Sequence, residues 1–381
     1  MESGGINMIQ GKKNWLGLLL MAVLMGITGS VLLKGQPLSL LAASLKHLKP
    51  QFLLLGIMMM VGFVGCEALC SYQILRRLGH KVSYRHCLGY SFVGFYVSSI
   101  TPSATGGQPA QIYYMSKDQV PAAHGALNMM LIASCYQVAA LLWGGSIWFF
   151  APSVRGQMDG GLAVLLLYGG GMMVLLTVGM AMVMFLPGPT RRMGEGALSI
   201  LTRIHLIKNP ESAREKLEHQ LSEYARGADC VKHNPGLVLR VLALCLIQQG
   251  LAFSVPWAVY LAFGLEGNGW IQVAGIQALL TLAVCNLPLP GAVGAAEGGF
   301  VSAFVAIFGE SLVTPAMLVS RGISFYTFLL VSFVVSIVVH LRTSREARER
   351  ALEEMAAAQT GTRVKAVRRY LSARAEGERI L

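Results

Sequence analysis

Long apolar runs joined by short polar segments fill most of the chain, at about residues 15–33, 52–75, 84–100, 121–150, 161–186, 237–263, 268–287 and 312–341. A helix needs roughly 20 apolar residues to cross a bilayer, and several of these runs reach that length. The pattern predicts an all-α, polytopic membrane helix bundle with a retained first helix at 15–33. Two polar stretches interrupt it. Residues 187–236 contain ESAREKLEHQLSEYARG, in which Leu217, Leu221 and Tyr224 recur at helical spacing, and residues 343–381 form a basic, helix-patterned tail. Both are expected at the cytoplasmic face, lying on anionic headgroups or simply solvated. The expected organisation is a membrane domain over 1–342 that includes the 187–236 loop, followed by the tail.

One apolar run is broken where a helix should not be. Ser98–Met115 reads SSITPSATGGQPAQIYYM, with Pro102, the pair Gly106 and Gly107, and Pro109 inside membrane-spanning hydrophobicity. Backbone broken at that depth strands N–H and C=O groups unless it is packed in protein or lines a polar cavity. A second break, NLPLPGAVGAAEGG at 286–299, carries Pro288, Pro290, Gly291 and Gly294.

The positions of the basic residues decide how these breaks sit. If every apolar run crossed fully from a cytoplasmic N-terminus, the loop carrying Arg191, Arg192, Arg203, Lys208, Arg214, Lys216, Arg226 and Lys232 would lie outside, against the positive-inside rule. A chain that enters at Tyr84, turns at Thr101–Pro109 and returns to the same side puts that loop inside, along with Arg76, Arg77, Lys81, Arg85 and Lys117. The basic tail then requires a second such hairpin over 268–310, inserted from the opposite side. The expectation is about six full spans plus two oppositely oriented re-entrant hairpins with Pro/Gly tips, with N- and C-termini cytoplasmic. Oppositely inserted broken helices meeting near the midplane are one way transporters build a substrate site.

Composition narrows the function classes. The chain is 54% hydrophobic and 13% charged, and its formal net charge of +12 comes from basic residues placed between apolar runs. That placement fits topology and lipid contact and gives no reason to expect nucleic-acid binding. The seven cysteines form no CxxC pair, so neither a disulfide framework nor a metal site is indicated, and no motif calls for a cofactor. GxSxG, Walker and HExxH motifs are missing from the sequence.

The chemistry that remains lies at the breaks. Pro109 suits the first turn of a helix restarting after the Gly pair, whose N–H groups and dipole favour an anion such as a lipid phosphate. Thr101, Gly106, Gly107, Gln108, Gln111, Tyr113 and Tyr114 are the headgroup-binding candidates; the competing account is that the glycines only permit close helix packing. Glu67, Glu297 and Arg321 are charges inside apolar runs, where they are expensive and usually paired. A carboxylate paired with Arg321 could bind a headgroup or relay a proton. Glu297 could instead complement a helix N-terminus and Arg321 could snorkel outward. His124 is expected to be interfacial, and Glu67 with His124 is the one acid/base pairing a lipid-modifying enzyme could use.

In their order along the chain, Glu67, the Gly106-Gly107-Gln108-Pro109 run with Gln111, Tyr113 and Tyr114, the Pro288-to-Glu297 break and Arg321 resemble the membrane region of lysylphosphatidylglycerol synthases, a flippase-like family, over about residues 15–342. In bifunctional members that region is joined to a cytosolic aminoacyltransferase domain using lysyl-tRNA. The basic tail of about 40 residues is shorter than such a domain, so the resemblance implies lipid flipping in a bacterial cytoplasmic membrane without lysyl transfer by this chain. Many members carry an acidic residue after the Gly pair and an Arg three positions later. Gln108 and Gln111 stand there in this chain, keeping hydrogen-bonding capacity without the ion pair. Aminoacyl-phosphatidylglycerol, a polyprenyl-phosphate, a glycolipid and an unmodified phospholipid all remain open as substrates. A lipid-modifying enzyme and a scaffold for envelope synthesis stay as alternatives, and a second copy or an envelope enzyme as partners.

Overall fold

In the computed structural model, residues 48–346 are described apart from 102–103, 159, 186–191, 193–195, 197–209, 288 and 290–291, together with Lys46 and Glu349. The first expected span at 15–33 and most of the basic tail lie outside these residues. Two compact units divide at 336/337.

The described part of the first unit is helical. The helices run α1 (Pro50–Arg77), α2 (Tyr84–Ile100), α3 (Gly107–Lys117), α4 (Ala122–Phe150), α5 (Gly161–Phe185), α6 (Pro210–Lys232), α7 (Pro235–Phe253), α8 (Val255–Ala262), α9 (Trp270–Val284) and α10 (Ala295–Arg321). A π-helical turn, Gly322–Thr327, follows α10. In the second unit, residues 337–346 are helical, with Arg342–Glu346 and Arg345–Glu349 contacts of 3.4 and 2.9 Å on the helix surface.

Five helical stretches among the described residues are long and apolar enough to cross a membrane: Pro50–Arg77, Ala122–Phe150, Gly161–Met184, Pro235–Ala262 and Ala295–Glu346. The chain is thus an all-α polytopic bundle. Ser254 ends α7 and Pro256 lies in the first turn of α8, so one crossing is built from two helices. The last stretch is interrupted at Gly309, whose φ of 75° and ψ of 161° are not helical.

Of the remaining helices, α6 has 23 residues but is polar, and α2, α3 and α9 are too short to cross. At 1.5 Å per residue, the 17 residues of α2, 11 of α3 and 15 of α9 reach only about 26, 17 and 22 Å, against a hydrocarbon core of about 30 Å. They form two hairpins. In the first, α2 and α3 pack antiparallel: Gly107 lies against Ser98, Gly94 against Gln111, and the Tyr90 hydroxyl donates to Asp118 at the base. In the second, α9 pairs with Ala295–Phe308, Leu280 lying against Gly299.

Contacts at the two ends of the bundle fix the end from which each hairpin enters. The chain leaves α1 and starts α4 at one place, since His80 Nε2 and His124 Nδ1 are 2.7 Å apart. The same end holds the start of α7, where Arg77 donates to Asn234 at 2.5 Å, so the first hairpin begins and returns there. The second belongs to the other end. There the Lys49 N–H reaches the Ala262 carbonyl at 3.0 Å, and the Phe308 ring packs on Tyr260 and Phe263 with centroids 5.7 and 6.4 Å apart. The insertion from opposite ends expected from basic-residue parity is therefore what the packing has.

Close approach holds the hairpins in the bundle. A Cβ at Gly169 of α5 would lie 1.8 Å from the Leu282 carbonyl oxygen, and one at Gly144 of α4 2.0 Å from the Leu282 side chain. Small residues thus seat α9 between α4 and α5 by backbone proximity, as membrane bundles do where no hydrophobic drive exists between helices. The amphipathic α6 departs from the surface-lying expectation. Tyr224, Ala228 and Val231 are buried in the core cluster, Tyr224 lies 3.3 Å from the Met130 sulfur, and Gln220 accepts the Ala123 N–H at 3.1 Å. Its apolar stripe is covered by α4, so protein occupies the place assigned to lipid or water.

A cysteine at Lys117, at the foot of the first hairpin, and one at Arg155, beyond the far end of α4, are expected to label from opposite sides of the membrane in a background without native cysteines. Labelling from the same side would remove the re-entrant hairpin.

Candidate functional site

The first tip satisfies much of its own backbone. Thr101 Oγ1 donates to the Val97 carbonyl at 2.8 Å and accepts the Gly106 N–H at 3.1 Å. Ser98 Oγ reaches the Ala104 carbonyl at 3.4 Å, and Ala104 takes the left-handed φ of 55° that the turn requires. Gly107 permits the two limbs to touch, because a Cβ there would sit 1.9 Å from Ser98 Oγ and 2.7 Å from the Gly94 carbonyl oxygen. The packing account thus explains Gly106 and Gly107, and Thr101 is engaged in the turn. Pro109 falls in the first turn of α3 as expected. Pro102 lies outside the described residues.

The candidates on α3 face different ways. Gln108 and Tyr113 are exposed, and the Lys117 ammonium stands 5.3 Å from the Tyr113 ring centroid. Tyr114 is half-buried and packs edge-on against Tyr113. Gln111 turns inward, 5% exposed, and its amide donates to Glu67 Oε1 at 3.0 Å. Gly94 makes room for it, since a Cβ there would lie 2.1 Å from Gln111 Nε2. The intramembrane carboxylate of α1 and the second glutamine of the first break are thus one pair. Gln111 Oε1 is buried without a hydrogen-bond partner among the described residues.

The second tip is built around Glu297. The break ends earlier than the expected 286–299, because α10 starts at Ala295 and makes Glu297 its third residue. The cause is local: Glu297 Oε2 accepts the N–H of Gly294, at 2.7 Å, and Gly294 holds a φ of 91°, so the carboxylate caps the helix despite Gly298 and Gly299. Its other oxygen accepts from Arg321 Nε at 2.8 Å. Glu297 is 1% exposed. Arg321 also lies over the Phe325 ring, 4.4 Å from its centroid, and the Tyr326 hydroxyl is 3.5 Å from Glu297 Oε1. Arg321 therefore pairs inward instead of snorkelling, and Glu297 both complements a helix N-terminus and neutralises a guanidinium. Pro288, Pro290 and Gly291 lie outside the described residues.

The two tips come together. Ile100 from the first, Val293 from the second and Phe325 after α10 form a buried apolar cluster. Beside it is a cavity of about 200 Å³ lined by Ser98, Ser99 and Ala104 on one side, Cys285, Leu289 and Ala292 on the other, and Phe95 and Phe325. Glu67 and His124 do not form the acid/base pair that an enzyme would use. Glu67 is bonded to Gln111, whereas His124 is bonded to His80 and faces Glu223 Oε2 at 3.7 Å.

Residues not singled out as candidates extend the polar interior. Asn128 is fully buried and donates to Ser71 Oγ at 3.2 Å, while Gln248 and Gln249 are each 1% exposed. The available signal was plain: amides embedded in the apolar runs 121–150 and 237–263, costly unless bonded.

A membrane bundle with opposed broken-helix hairpins meeting inside it is an architecture suited to transport-type sites. The family model described as Lysylphosphatidylglycerol synthase TM region matches residues 14–332. The chain belongs to that family, whose name ties it to membrane lipid synthesis or translocation. No curated protein matches the chain significantly.

Removing Arg321 while leaving Glu297 buried should be severe, because an unpaired charge in a pair exposed by only 15% and 2% costs about 3–5 kcal/mol. Arg321→Met is expected to lower the thermal unfolding midpoint in detergent, and adding Glu297→Gln should recover part of the loss. An unchanged midpoint in Arg321→Met would show that the pair does not hold the second tip.

Proposed function

We propose that the protein moves a phospholipid or other lipid with an anionic or zwitterionic headgroup between the leaflets of the bacterial cytoplasmic membrane. The headgroup passes the meeting point of the two tips while the acyl chains stay in lipid. One observation carries this reading: hairpins entering from opposite ends meet at a cavity bordered by both. A headgroup approaching from either leaflet then encounters one tip and leaves past the other, which is the geometry alternating access requires.

Each half offers different chemistry. The Glu67–Gln111 pair presents a carboxylate and an amide, suited to an ammonium or hydroxylated headgroup. Arg321, held by Glu297, carries guanidinium N–H groups suited to phosphate. Aminoacyl-phosphatidylglycerol, with both a phosphate and an amine, matches this combination and is the first substrate to test. The basic end, with Arg76, Arg77, Lys81, Arg85 and Lys117, is assigned to the cytoplasm, which places both termini there and sets these residues against anionic headgroups. The separation of Glu67 from His124 weighs against the enzyme alternative.

Reconstitution into liposomes with fluorescent aminoacyl-phosphatidylglycerol, phosphatidylglycerol and a polyprenyl-phosphate tests the reading. At least one is expected to exchange leaflets faster than in protein-free vesicles, and folded Glu67→Ala and Gln111→Leu variants should fall to the protein-free rate. Exchange of none of the three, or full exchange in both variants, would contradict it.

A further inference from the structure

The two intramembrane carboxylates have partners of different kinds. Glu297 is matched by a permanent cation. Glu67 has Gln111 as its one hydrogen-bond partner among the described residues, and a neutral amide can serve either form of a carboxyl group. Its N–H₂ donates to the carboxylate, and its free Oε1 can accept the O–H of the acid. The Glu67 pair can therefore hold a proton or release it without losing its hydrogen bonding.

A line of polar groups leads from this pair to the basic end. Ser71 lies one turn from Glu67 on α1 and is fully buried. It accepts from Asn128 of α4, whose Oδ1 is buried with no partner among the described residues. One turn further toward the basic end on α4 is His124, in contact with His80 at 2.7 Å and facing Glu223 at 3.7 Å. Residues four apart share a helix face, so His124 and Asn128 are consecutive on α4, as Ser71 and Glu67 are on α1. Two acceptors on the residues of this line, Asn128 Oδ1 and Gln111 Oε1, are buried without a partner among the described residues, and buried polar groups of that kind ordinarily hold water.

We propose that Glu67 exchanges a proton with the basic end of the bundle along His80, His124, Asn128 and Ser71, so that lipid movement responds to protons delivered from that side. The coupling rests on the lipid-translocation reading; the proton route does not. In the forward step an N–H bond of the protonated His80–His124 pair breaks and an O–H bond forms on Glu67, leaving a neutral imidazole and a carboxylic acid. The Ser71 hydroxyl and water carry the proton, and the Asn128 amide anchors them. Protonation turns the charge-assisted contact between α1 and the first hairpin into a weaker neutral one with its hydrogen bonding kept, which eases movement of that hairpin against α1.

The surrounding groups suit this role. Within electrostatic range of Glu67 are Cys70 on its own helix and Tyr136 on α4. Cys66 precedes it on α1, the Tyr84 hydroxyl of α2 donates to the Gly65 carbonyl, Cys245 of α7 faces Cys66 and Cys70, and α3 contributes the neutral Gln111. None of these supplies a fixed positive charge. At the entrance, burial first and then His124 hold the His80 imidazole below its ordinary range, with Glu223 acting the other way. Arg226 pairs with Glu223 from α6. The His80 imidazole consequently gives up a proton readily once loaded.

Infrared spectroscopy of the full chain in lipid nanodiscs, stepped from alkaline to acidic pH, reads the route without any lipid assay. The expected result is a protonated-carboxyl band that appears on acidification, is lost in Glu67→Gln, and rises more slowly after a rapid acid jump in Asn128→Leu and Ser71→Ala. Should Glu67→Gln fail to fold, Ser71→Ala and His124→Gln, which keep the carboxyl, test the route by kinetics alone. A band unchanged in Glu67→Gln, or one that rises at the wild-type rate in all the route variants, overturns the proposal. Lipid exchange in parallel vesicles separates the two readings. A Glu67 band without exchange of any lipid leaves the route standing and sinks translocation, whereas exchange without the band does the reverse.

Discussion

Backbone that is not helical cannot face lipid, because each unsatisfied N–H or C=O there costs several kcal/mol. The rest of this structure depends on that constraint. A chain with Pro/Gly breaks in two apolar runs must bury both, and it does so by placing each tip against the other. Thr101 takes up the Gly106 N–H, Glu297 takes up the Gly294 N–H, and Ile100, Val293 and Phe325 close an apolar contact beside them. The short limbs follow from this arrangement, since a helix that ends inside the bilayer must fall short of a full span. The glycines follow as well. Gly94 and Gly107 bring the first limbs together, and Gly144 and Gly169 seat the second hairpin.

Once the tips are buried, the charges near them must be buried too, and the two halves resolve this differently. In the second half a carboxylate shares its oxygens between a helix N-terminus and a guanidinium, which fixes it as a structural ion pair. In the first half the carboxylate meets an amide, with neighbouring amides and hydroxyls supplying further polarity. One half pairs its carboxylate with a permanent cation and the other with a neutral amide.

Much of this architecture was legible in the sequence because each signal had a direct physical cause. Apolar run length set the helices, and expected 52–75, 84–100 and 121–150 became the spans Pro50–Arg77 and Ala122–Phe150 and the hairpin limb Tyr84–Ile100. The placement of Arg and Lys required two opposed hairpins, and the contacts of His80 with His124 and of Phe308 with Tyr260 have them. Pairings between distant residues were out of reach, because periodicity carries no information about a partner 44 residues away, as with Glu67 and Gln111. The second break was placed too far along because Gly298 and Gly299 look like breakers, whereas the Glu297 cap outweighs them. The Gly pair attracted a ligand-binding reading, but much of what it does is permit contact. The stripe on α6 pointed to lipid or water because sequence shows that a face is apolar and not what covers it.

The central claim is that tips inserted from opposite ends touch inside the bundle, and a cysteine cross-link tests it most directly. With native cysteines removed, Ile100→Cys and Val293→Cys should be joined by a short oxidising or bifunctional reagent in native membranes, within one chain. Pairing either position with a cysteine at Arg155 should give no cross-link. Failure of the Ile100–Val293 pair to join under conditions that join Gly94→Cys to a cysteine at Gln111 would contradict the account.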